Sequence, residues 1–316
     1  MGFWIGMDEA GIGPNIGPLV VAAVVWETPG DPCDLDFWAT FRPVVSRDPK
    51  TTTTKLVVAD SKAVFQPARG IGPLERTVLS AWTWDGAMPM SLSDLLAGST
   101  TRVLLSQSSE APWHQDHVVP LPHACTADEI GKSAARWHRR SEANGVRLRA
   151  ICARVVHPPE FNALLERFDN KADAVASVHL SVAKAAWSMT AAKPTLFVCD
   201  KHGGRNFYAG FLSDVTDGGW ITALSEGAES SVYRCGAAEF RFEPRAEEYG
   251  PVALASMIAK YLRELYMLQF NAYWRELLPG LRPTQGYPDD ARRFLNDIAP
   301  VLPRLNIPTA VLWRMR

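Results

Sequence analysis

Residues 3–13 decide the fold of this chain, and they read FWIGMDEAGIG. The apolar run before Asp8 indicates a short buried strand that leads into two carboxylates and a glycine-rich turn. Residues 17–26, GPLVVAAVVW, follow that turn and predict a second strand. We therefore expect the chain to open with two neighbouring strands, with Asp8 and Glu9 at the end of the first.

A second buried strand also ends on an acid, because the apolar run Thr195–Cys199 leads directly into Asp200. Adjacent strands of one sheet could bring the two acidic ends together. Carboxylates gathered in this way repel one another unless a cation lies between them, and hard oxygen ligands suit Mg²⁺ or Mn²⁺. For either acid alone, the polarity of turns is the better explanation, so only the combination indicates a site.

The rest of the chain predicts an α/β fold with a mixed central sheet flanked by helices. Val146–Val156 alternates like a strand, Pro158–Met189 has a helical pattern in two pieces, and Tyr249–Leu278 predicts a long helix. Between residues 82 and 145 periodicity is poor, and Pro, Ser, Gly and Trp are frequent. We divide the chain into a core of residues 1–81 and 146–270, an insertion or small subdomain at 82–145, and a C-terminal helical extension at 271–316.

Composition limits the class of protein. The 316 residues are 47% apolar and 21% charged, as in ordinary globular proteins. No long apolar window predicts a membrane span, and the first residues lack the basic leader of a secretion signal. The five scattered cysteines favour free thiols in a reducing cytoplasm, so we predict a cytoplasmic location. The net charge of −1 argues against bulk electrostatic coating of nucleic acid but allows a local basic cleft.

Short motifs occur in a fixed order along the chain. They read GMDEAGIG at 6–13 followed by GPLVVAAV at 17–24, DSK at 60–62, VCD at 198–200, ASMIAKYLRE at 255–264 and QGY at 285–287. In content and order they resemble the type 2 ribonuclease H family, including its HII and HIII branches. Each motif alone is modest evidence, but together they span most of the chain outside the insertion. The resemblance implies a ribonuclease H-like fold and a divergent member with a central insertion.

The resemblance also implies a reaction. Members of the family gather four carboxylates around two divalent cations and hydrolyse the phosphodiester on the 5′ side of a ribonucleotide. Matched residue by residue, the catalytic residues and metal ligands here would be Asp8, Glu9, Asp200 and Glu264. We therefore expect a monomeric endonuclease that uses two Mg²⁺ or Mn²⁺ ions per active site. Its substrate would be the RNA strand of RNA–DNA hybrids, or ribonucleotides embedded in DNA.

The same match assigns residues that bind the substrate. The turn Gly11-Ile12-Gly13 would bring backbone amides close to the strand that is cut, and Ser61 and Lys62 would hold a phosphate.

The loop after the third carboxylate reads KHGGRN at residues 201–206 and is polar and basic. We expect Lys201 or Arg205 to contact a phosphate there, with His202 as a candidate proton donor. A solvated turn without a role in binding is the alternative.

Departures from the family pattern keep a second hypothesis open. The family has a glycine-arginine-glycine turn where this chain has Ile12, so a guanidinium that could bind the backbone is absent. Glu264 stands where the HII branch usually has aspartate, and its alternative role is an ion pair with Lys260 on a helix surface. The second hypothesis is therefore a nucleic-acid-binding protein on the same fold whose catalysis is lost or redirected.

Ile12 leads to a prediction about specificity. One charged contact, worth about 1.5–3 kcal/mol when well formed, is missing, while the amides of the turn remain. We expect relaxed recognition of a single ribonucleotide inside DNA. The measurement is the cleavage rate on a duplex with one embedded ribonucleotide relative to a long RNA–DNA hybrid, and a strong preference for the former would contradict it.

Overall fold

A sheet with helices on both faces dominates the structure, a computed structural model that describes residues 1–51, 54–97, 102–104, 111–115, 119–190 and 193–315. The strands are β1 (Gly2–Ala10), β2 (Leu19–Thr28), β3 (Val45–Ser46), β4 (Leu56–Val57), β5 (Arg102–Leu104), β6 (Arg147–Val156), β7 (Thr195–Asp200), β8 (Thr222–Glu226), β9 (Ser231–Cys235) and β10 (Ala238–Glu243). The helices are α1 (Phe37–Phe41), α2 (Ser61–Val64), α3 (Gly72–Trp82), α4 (Leu92–Leu96), α5 (Pro112–Gln115), α6 (Ala127–Asn144), α7 (Pro158–Phe168), α8 (Lys171–Ser188), α9 (Ala209–Val215), α10 (Gly250–Leu277), α11 (Pro288–Ile298), α12 (Leu302–Leu305) and α13 (Thr309–Leu312).

The main sheet has eight strands in the order β5-β6-β2-β1-β7-β10-β9-β8. Strand β1 pairs antiparallel with β2 and parallel with β7, and β7 pairs parallel with β10. The predicted class, a mixed sheet flanked by helices, is confirmed. The four runs that the sequence indicated as strands, now β1, β2, β6 and β7, lie together in this sheet as expected.

Strand β1 is longer than the sequence pattern indicated. The apolar run ends at Met7, but the strand continues through Asp8 and Glu9 to Ala10 because these residues pair with β2. Successive side chains of a strand point to opposite faces of the sheet. The two carboxylates therefore face different layers of helices.

Each face of the sheet carries its own hydrophobic cluster. Helix α10 covers one face, where Trp4 and Val198 pack with Ile258, and α8 covers the other, where Met7 packs with Val178. The break between α7 and α8 falls at Asp169, whose φ of 49° ends α7, and at Asn170, which caps α8. The prediction of two helical pieces is thus confirmed.

The stretch predicted as an insertion is described only in part. Strand β5 pairs with β6, and Ile130 and Trp137 of α6 belong to the same hydrophobic cluster as Trp26 of β2. Strand β5 and helix α6 of this stretch therefore pack against the sheet, whereas Trp113 of α5 belongs to the cluster formed by the C-terminal helices. Outside the described residues lie 98–101, 105–110 and 116–118.

The predicted C-terminal extension is helical where it is described, which excludes residue 316. Helix α10 continues past residue 270 to Leu277, and Phe294 of α11 and Leu312 of α13 pack with Trp274 of α10 in a third cluster. Across the described ranges, no helix combines the length and the apolar character that crossing a membrane requires.

Gly6 allows α10 to lie directly against β1. A Cβ at this position would overlap the backbone of Pro251 and Val252 in the first turn of the helix. Gly250 has a similar role, because a Cβ there would overlap the ring of Phe37. The start of α10 is therefore held close to the strand that carries Asp8.

The fully buried carboxylate of Glu75 on α3 ties the chain before α6 to the core. It accepts hydrogen bonds from the backbone amides of His123 at 2.7 Å, Ala124 at 2.6 Å and Cys125 at 2.8 Å, and from the Tyr261 hydroxyl at 2.9 Å. All four donors would lose their acceptor if this side chain were removed.

We expect Glu75→Ala to lower the free energy of unfolding by at least about 3 kcal/mol, because several donors would be left buried and unsatisfied. Tyr261→Phe is the matched control, since it removes a single hydrogen bond and should cost about 1 kcal/mol. Urea unfolding measures both, and equal losses would contradict the prediction.

Candidate active site

The parallel pairing of β1 with β7 sets the geometry of the site. Met7 lies opposite Cys199 in this pairing, so the next residues along the two strands are Asp8 and Asp200. Both side chains point to the face that α10 covers, because Trp4 and Val198 on that face precede them at even spacing. The structure thus brings these two predicted site residues together.

The half-buried Asp8 is the most strongly perturbed carboxyl group of the site. Burial raises its pKa well above the usual value, and the negative charges of Glu9 and, to a smaller extent, Asp200 raise it further. A hydrogen bond from the Ser256 hydroxyl of α10 opposes this shift. Asp8 is therefore a carboxyl group that resists ionisation without a nearby cation.

Glu9 faces α8 and is paired with the buried His179. The Nε2 atom of His179 lies 3.1 Å from Glu9 Oε2, and its Nδ1 lies 2.9 Å from the Val175 carbonyl oxygen. Each ring nitrogen therefore has an acceptor within hydrogen-bond distance. Burial alone would raise the pKa of Glu9, but the hydrogen bond and charge of His179 lower it below the usual value.

Asp200 is held by backbone amides. Lys201 donates its amide to Asp200 Oδ1 at 3.0 Å, and the amides of Arg245 and Ala246 also bond to this carboxyl group. Burial and the charge of Glu9 outweigh these bonds and raise its pKa. Arg245 has a left-handed backbone with a φ of 61°, which is a strained conformation for a residue other than glycine and is typical of functional sites.

Glu247 is an acidic residue of the site that sequence reasoning missed. It lies in the turn of 3-10 helix Ala246–Glu248, directly before α10. Burial raises its pKa, and the charges of Asp200 and Asp60 raise it further. The signal in the sequence was the acidic pair 247–248 between a strand and the long helix.

The donor set suits a hard divalent cation. Asp8, Glu9, Asp200 and Glu247 present only oxygen ligands, and the charges among them raise the pKa of three of the four. A dication would relieve this repulsion. Within the described ranges, no group of three or more His, Cys, Asp or Glu side chains is already arranged to hold a metal ion.

Glu264 is not brought to this cluster, contrary to the expected fourth ligand. It lies on α10 two helical turns after Ser256, a displacement of about 12 Å along the axis. Its carboxylate accepts from Lys260 Nζ at 2.7 Å and from Arg263 at 3.0 Å. The pair with Lys260, expected at the surface as the alternative, is buried.

Ser61 and Lys62 have different environments. Ser61 is buried, and its hydroxyl oxygen lies 3.0 Å from the Ser256 hydroxyl, so its side chain orients the neighbour of Asp8 and is not exposed to a phosphate. Lys62 is exposed, and its charge acts on both Glu9 and Glu247. Of the two, only Lys62 remains a candidate phosphate contact.

The loop after Asp200 is fastened to the protein and is not a free basic loop. Lys201 Nζ donates to Asn206 Oδ1 at 2.8 Å, to Ser231 Oγ at 3.1 Å and to the Gly227 carbonyl. This cation is therefore used to anchor the loop to the β8–β9 hairpin. Arg205 pairs with Asp173 at 3.1 Å and remains partly exposed.

His202 lies half-buried beside His179, with 4.3 Å between the ring centroids. Burial lowers its pKa well below the usual value, and the charges of His179 and Arg205 lower it further. An imidazole with so low a pKa is neutral at pH 7, so it is a poor proton donor in the role that the sequence suggested.

The glycine turn is open on its outer side. Gly11 has a φ of 94°, which favours glycine, and a Cβ at Gly13 would meet only the Tyr287 ring, at 3.8 Å. Ile12 is 36% exposed, and its carbonyl accepts a hydrogen bond from Lys171 Nζ at 3.2 Å. A ligand can therefore approach the backbone of this turn closely.

Comparison with solved structures found ribonucleases H of type 2. The ribonuclease H2 from Pyrococcus horikoshii OT3 is 18% identical over 98% of this chain and 92% of that chain, with a TM-score of 0.48. The ribonuclease H3 of Aquifex aeolicus is 13% identical over 98% and 70%, with a TM-score of 0.44. Bst-RNase HIII, solved in complex with Mn²⁺, is 16% identical over 93% and 62%, with a TM-score of 0.40.

No protein-family model and no curated protein matches the chain. The mixed sheet flanked by helices agrees with the ribonuclease H-like fold that the sequence predicted. The chain resembles the type 2 ribonucleases H, as the order of its motifs indicated. The roles of individual residues rest on the geometry described above.

The raised pKa of Asp8 leads to a prediction for the metal-free protein. A carboxyl group whose pKa is higher in the folded chain stabilises the fold below its unfolded pKa of about 3.9, and that contribution is lost as the pH rises through the folded pKa. Asn is nearly isosteric but carries no charge. We expect Asp8→Asn to melt at the wild-type temperature or higher at pH 7.

Thermal melts without divalent cations, from pH 4 to pH 8, measure this effect. The gain should shrink toward pH 4, where wild-type Asp8 is protonated. Asp214→Asn, which changes an exposed acid on α9, is the control and should show no such trend. A variant that loses stability as the pH rises would contradict the prediction.

Proposed function

We propose that this chain is a divalent-metal-dependent endonuclease that hydrolyses the RNA strand of RNA–DNA hybrids or ribonucleotides embedded in DNA. The observation that carries the proposal is that Asp8 and Asp200 end two paired strands side by side, with Glu9 acting on both through its charge and Asp200 acting on Glu247 in the same way. Neighbouring carboxyl groups with raised pKa values, as at Asp8, Asp200 and Glu247, are candidates for a functional site.

Mg²⁺ or Mn²⁺ fits this donor set, and the oxygens of Asp8, Asp200 and Glu247, with Glu9 beside them, would hold two ions. When bound, the ions would supply positive charge that favours ionisation of an attacking water and departure of the 3′ oxygen. The Mn²⁺ complex of Bst-RNase HIII is in keeping with this choice of metal.

The remaining residues of the site orient the carboxylates. The Ser256 hydroxyl directs Asp8, the His179 ring directs Glu9, and the amides of Lys201 and Arg245 direct Asp200. Such outer partners fix the direction of a ligand and are often worth 10–100-fold in metal affinity or activity.

The nucleic acid would lie across the glycine turn and the carboxylates, bound by a single copy of this chain. Lys62, whose charge acts on Glu9 and Glu247, and Arg245, whose amide bonds to Asp200, are exposed cations beside the carboxylates that are suited to contact phosphates. The amides of Gly11 and Gly13 would approach the strand that is cut, and the exposed apolar Ile12 would contribute no charge.

A nucleic-acid-binding protein without catalysis is the second candidate. Two observations favour this second candidate. Among the described residues, no three His, Cys, Asp or Glu side chains form a group that could hold a metal ion, and Ile12 carries no charge. A wild-type protein that binds hybrids but neither cleaves them nor gains stability with Mg²⁺ or Mn²⁺ would support this candidate over the nuclease.

Four substitutions separate the carboxylates that act from the one that does not. We expect Asp8→Asn, Asp200→Asn and Glu247→Gln each to lower the rate of hybrid cleavage by more than about 100-fold, since even outer partners are worth 10–100-fold. Glu264→Gln should keep cleavage per folded molecule but lower the melting temperature, because two buried cations lose their partner.

The assay is strand cleavage with Mg²⁺ and with Mn²⁺, beside thermal melts with and without each metal. The three variants of the cluster should also gain less stability from metal than the wild type does. Full activity of Glu247→Gln together with an inactive, well-folded Glu264→Gln would overturn the assignment in favour of Glu264.

A further inference from the structure

Two guanidinium groups lie buried beneath the glycine turn, although position 12 carries no charge. Arg263 of α10 is 1% exposed and Arg314 is 2% exposed. They are close enough for the charge of Arg263 to act on Arg314. The strongest concentration of buried positive charge described in this protein therefore lies directly under the turn that would face the substrate.

Arg314 is fixed to the turn by its contacts. Its guanidinium donates to the Gly11 carbonyl at 2.6 Å and to the Pro14 carbonyl, and it lies over the ring of Phe161 at 5.1 Å. Its backbone amide donates to the Asn15 carbonyl at 2.8 Å. The side chain therefore binds both ends of the turn from the inside.

The charges around this pair are not balanced. Lys260 and Arg263 share one carboxylate partner, Glu264, and within the described ranges Arg314 has no carboxylate partner and donates only to backbone carbonyls. Among the described residues, three buried nitrogens of this pair have no hydrogen-bond acceptor. They are Nε of Arg263, and Nε and one terminal nitrogen of Arg314. Such an excess of buried positive charge is costly unless an anion approaches it.

Arg314 remains charged at neutral pH even so. Burial lowers its pKa, and the charge of Arg263 lowers it further, to about 9. At pH 7 the guanidinium is therefore still protonated.

The backbone of Gly11 and Gly286 lies directly against the side chain of Arg263. A Cβ at Gly11 would lie 2.9 Å from the Arg263 side chain, and one at Gly286 would lie 3.3 Å from it. Side chains are therefore excluded from the layer between the guanidiniums and a ligand on Gly13. In an environment poor in water, charges act over such a layer more strongly than they do in bulk solvent.

We propose that Arg314, together with Arg263, attracts a phosphodiester group of the substrate across the glycine turn and supplies the positive charge that position 12 lacks. This inference rests on the proposed function, because it names how that site binds a polyanionic backbone. It assigns no recognition of the ribose, so it leaves the expected loss of discrimination at Ile12 unchanged.

The test is the salt dependence of binding. In the Asp8→Asn background, which separates binding from cleavage, the affinity for an RNA–DNA hybrid is measured by fluorescence anisotropy at several salt concentrations. Loss of one phosphate contact lowers the slope of log K against log salt by about 1. Arg314→Gln should show this smaller slope and roughly 10-fold weaker binding at low salt.

Two matched variants separate charge from structure. Arg304→Gln removes an exposed arginine of α12 and should leave the slope unchanged. Arg314→Lys keeps the charge with a different hydrogen-bonding group, so the slope should stay close to that of the background protein. An unchanged slope in a folded Arg314→Gln would overturn the inference, as would a reduced slope in a folded Arg314→Lys.

A further pair keeps the test decisive if Arg314→Gln does not fold. Glu264→Gln removes the single carboxylate partner and should raise both the affinity and the slope. Ile12→Arg places a charge on the outer side of the turn and should raise them also. Unchanged values in a folded Glu264→Gln would count against the inference.

The proposed function is tested separately by cleavage with the wild-type chain and Mn²⁺. If the wild type cleaves the hybrid but the salt slopes of the folded Arg314→Gln and Glu264→Gln variants are unchanged, the role of Arg314 is wrong and the proposed function stands. No cleavage and no binding of the hybrid would remove both.

Discussion

Repulsion among carboxylates is the interaction on which the arrangement of this protein depends. Asp8 and Asp200 lie side by side because β1 pairs with β7, and Gly6 lets the start of α10 approach β1. Glu9 acts on both through its charge, and Asp200 acts on Glu247 in the same way. Asp8, Glu9 and Asp200 each have a separate partner that stabilises the carboxylate, namely the Ser256 hydroxyl, the His179 ring and a set of backbone amides. The cluster costs stability, and the rest of the fold holds it in place.

Local sequence patterns predicted the parts of the site that depend on strands. An apolar run that ends on an acid occurs at both Asp8 and Asp200, and parallel pairing then brings the two ends to one edge of the sheet. Even so, the pattern did not predict that β1 continues beyond Met7. The pairing of Asp8 and Glu9 with β2 decides that boundary, and it is a contact between strands.

The order of motifs along the chain predicted less well which acid joins the cluster. Glu264 and Glu247 both lie close to the ASMIAKYLRE motif, but a linear match does not give distance along a helix. Glu264 falls two turns beyond Ser256 and meets cations, whereas Glu247 precedes the helix and meets Asp200. The sequence also did not predict the contacts of Lys201 with Ser231 and of Arg314 with Gly11, because the partners are far apart along the chain.

The contact of Arg314 with Gly11 also has a consequence in time. The two residues are 303 positions apart, and a ribosome that adds about 5–20 residues per second needs roughly 15–60 s to cover that distance. During synthesis the glycine turn is therefore made long before the arginine that fastens it. A nascent chain can assemble its sheet while the glycine turn is not yet fastened, and the proposed surface for nucleic acid is complete only when residue 314 is in place.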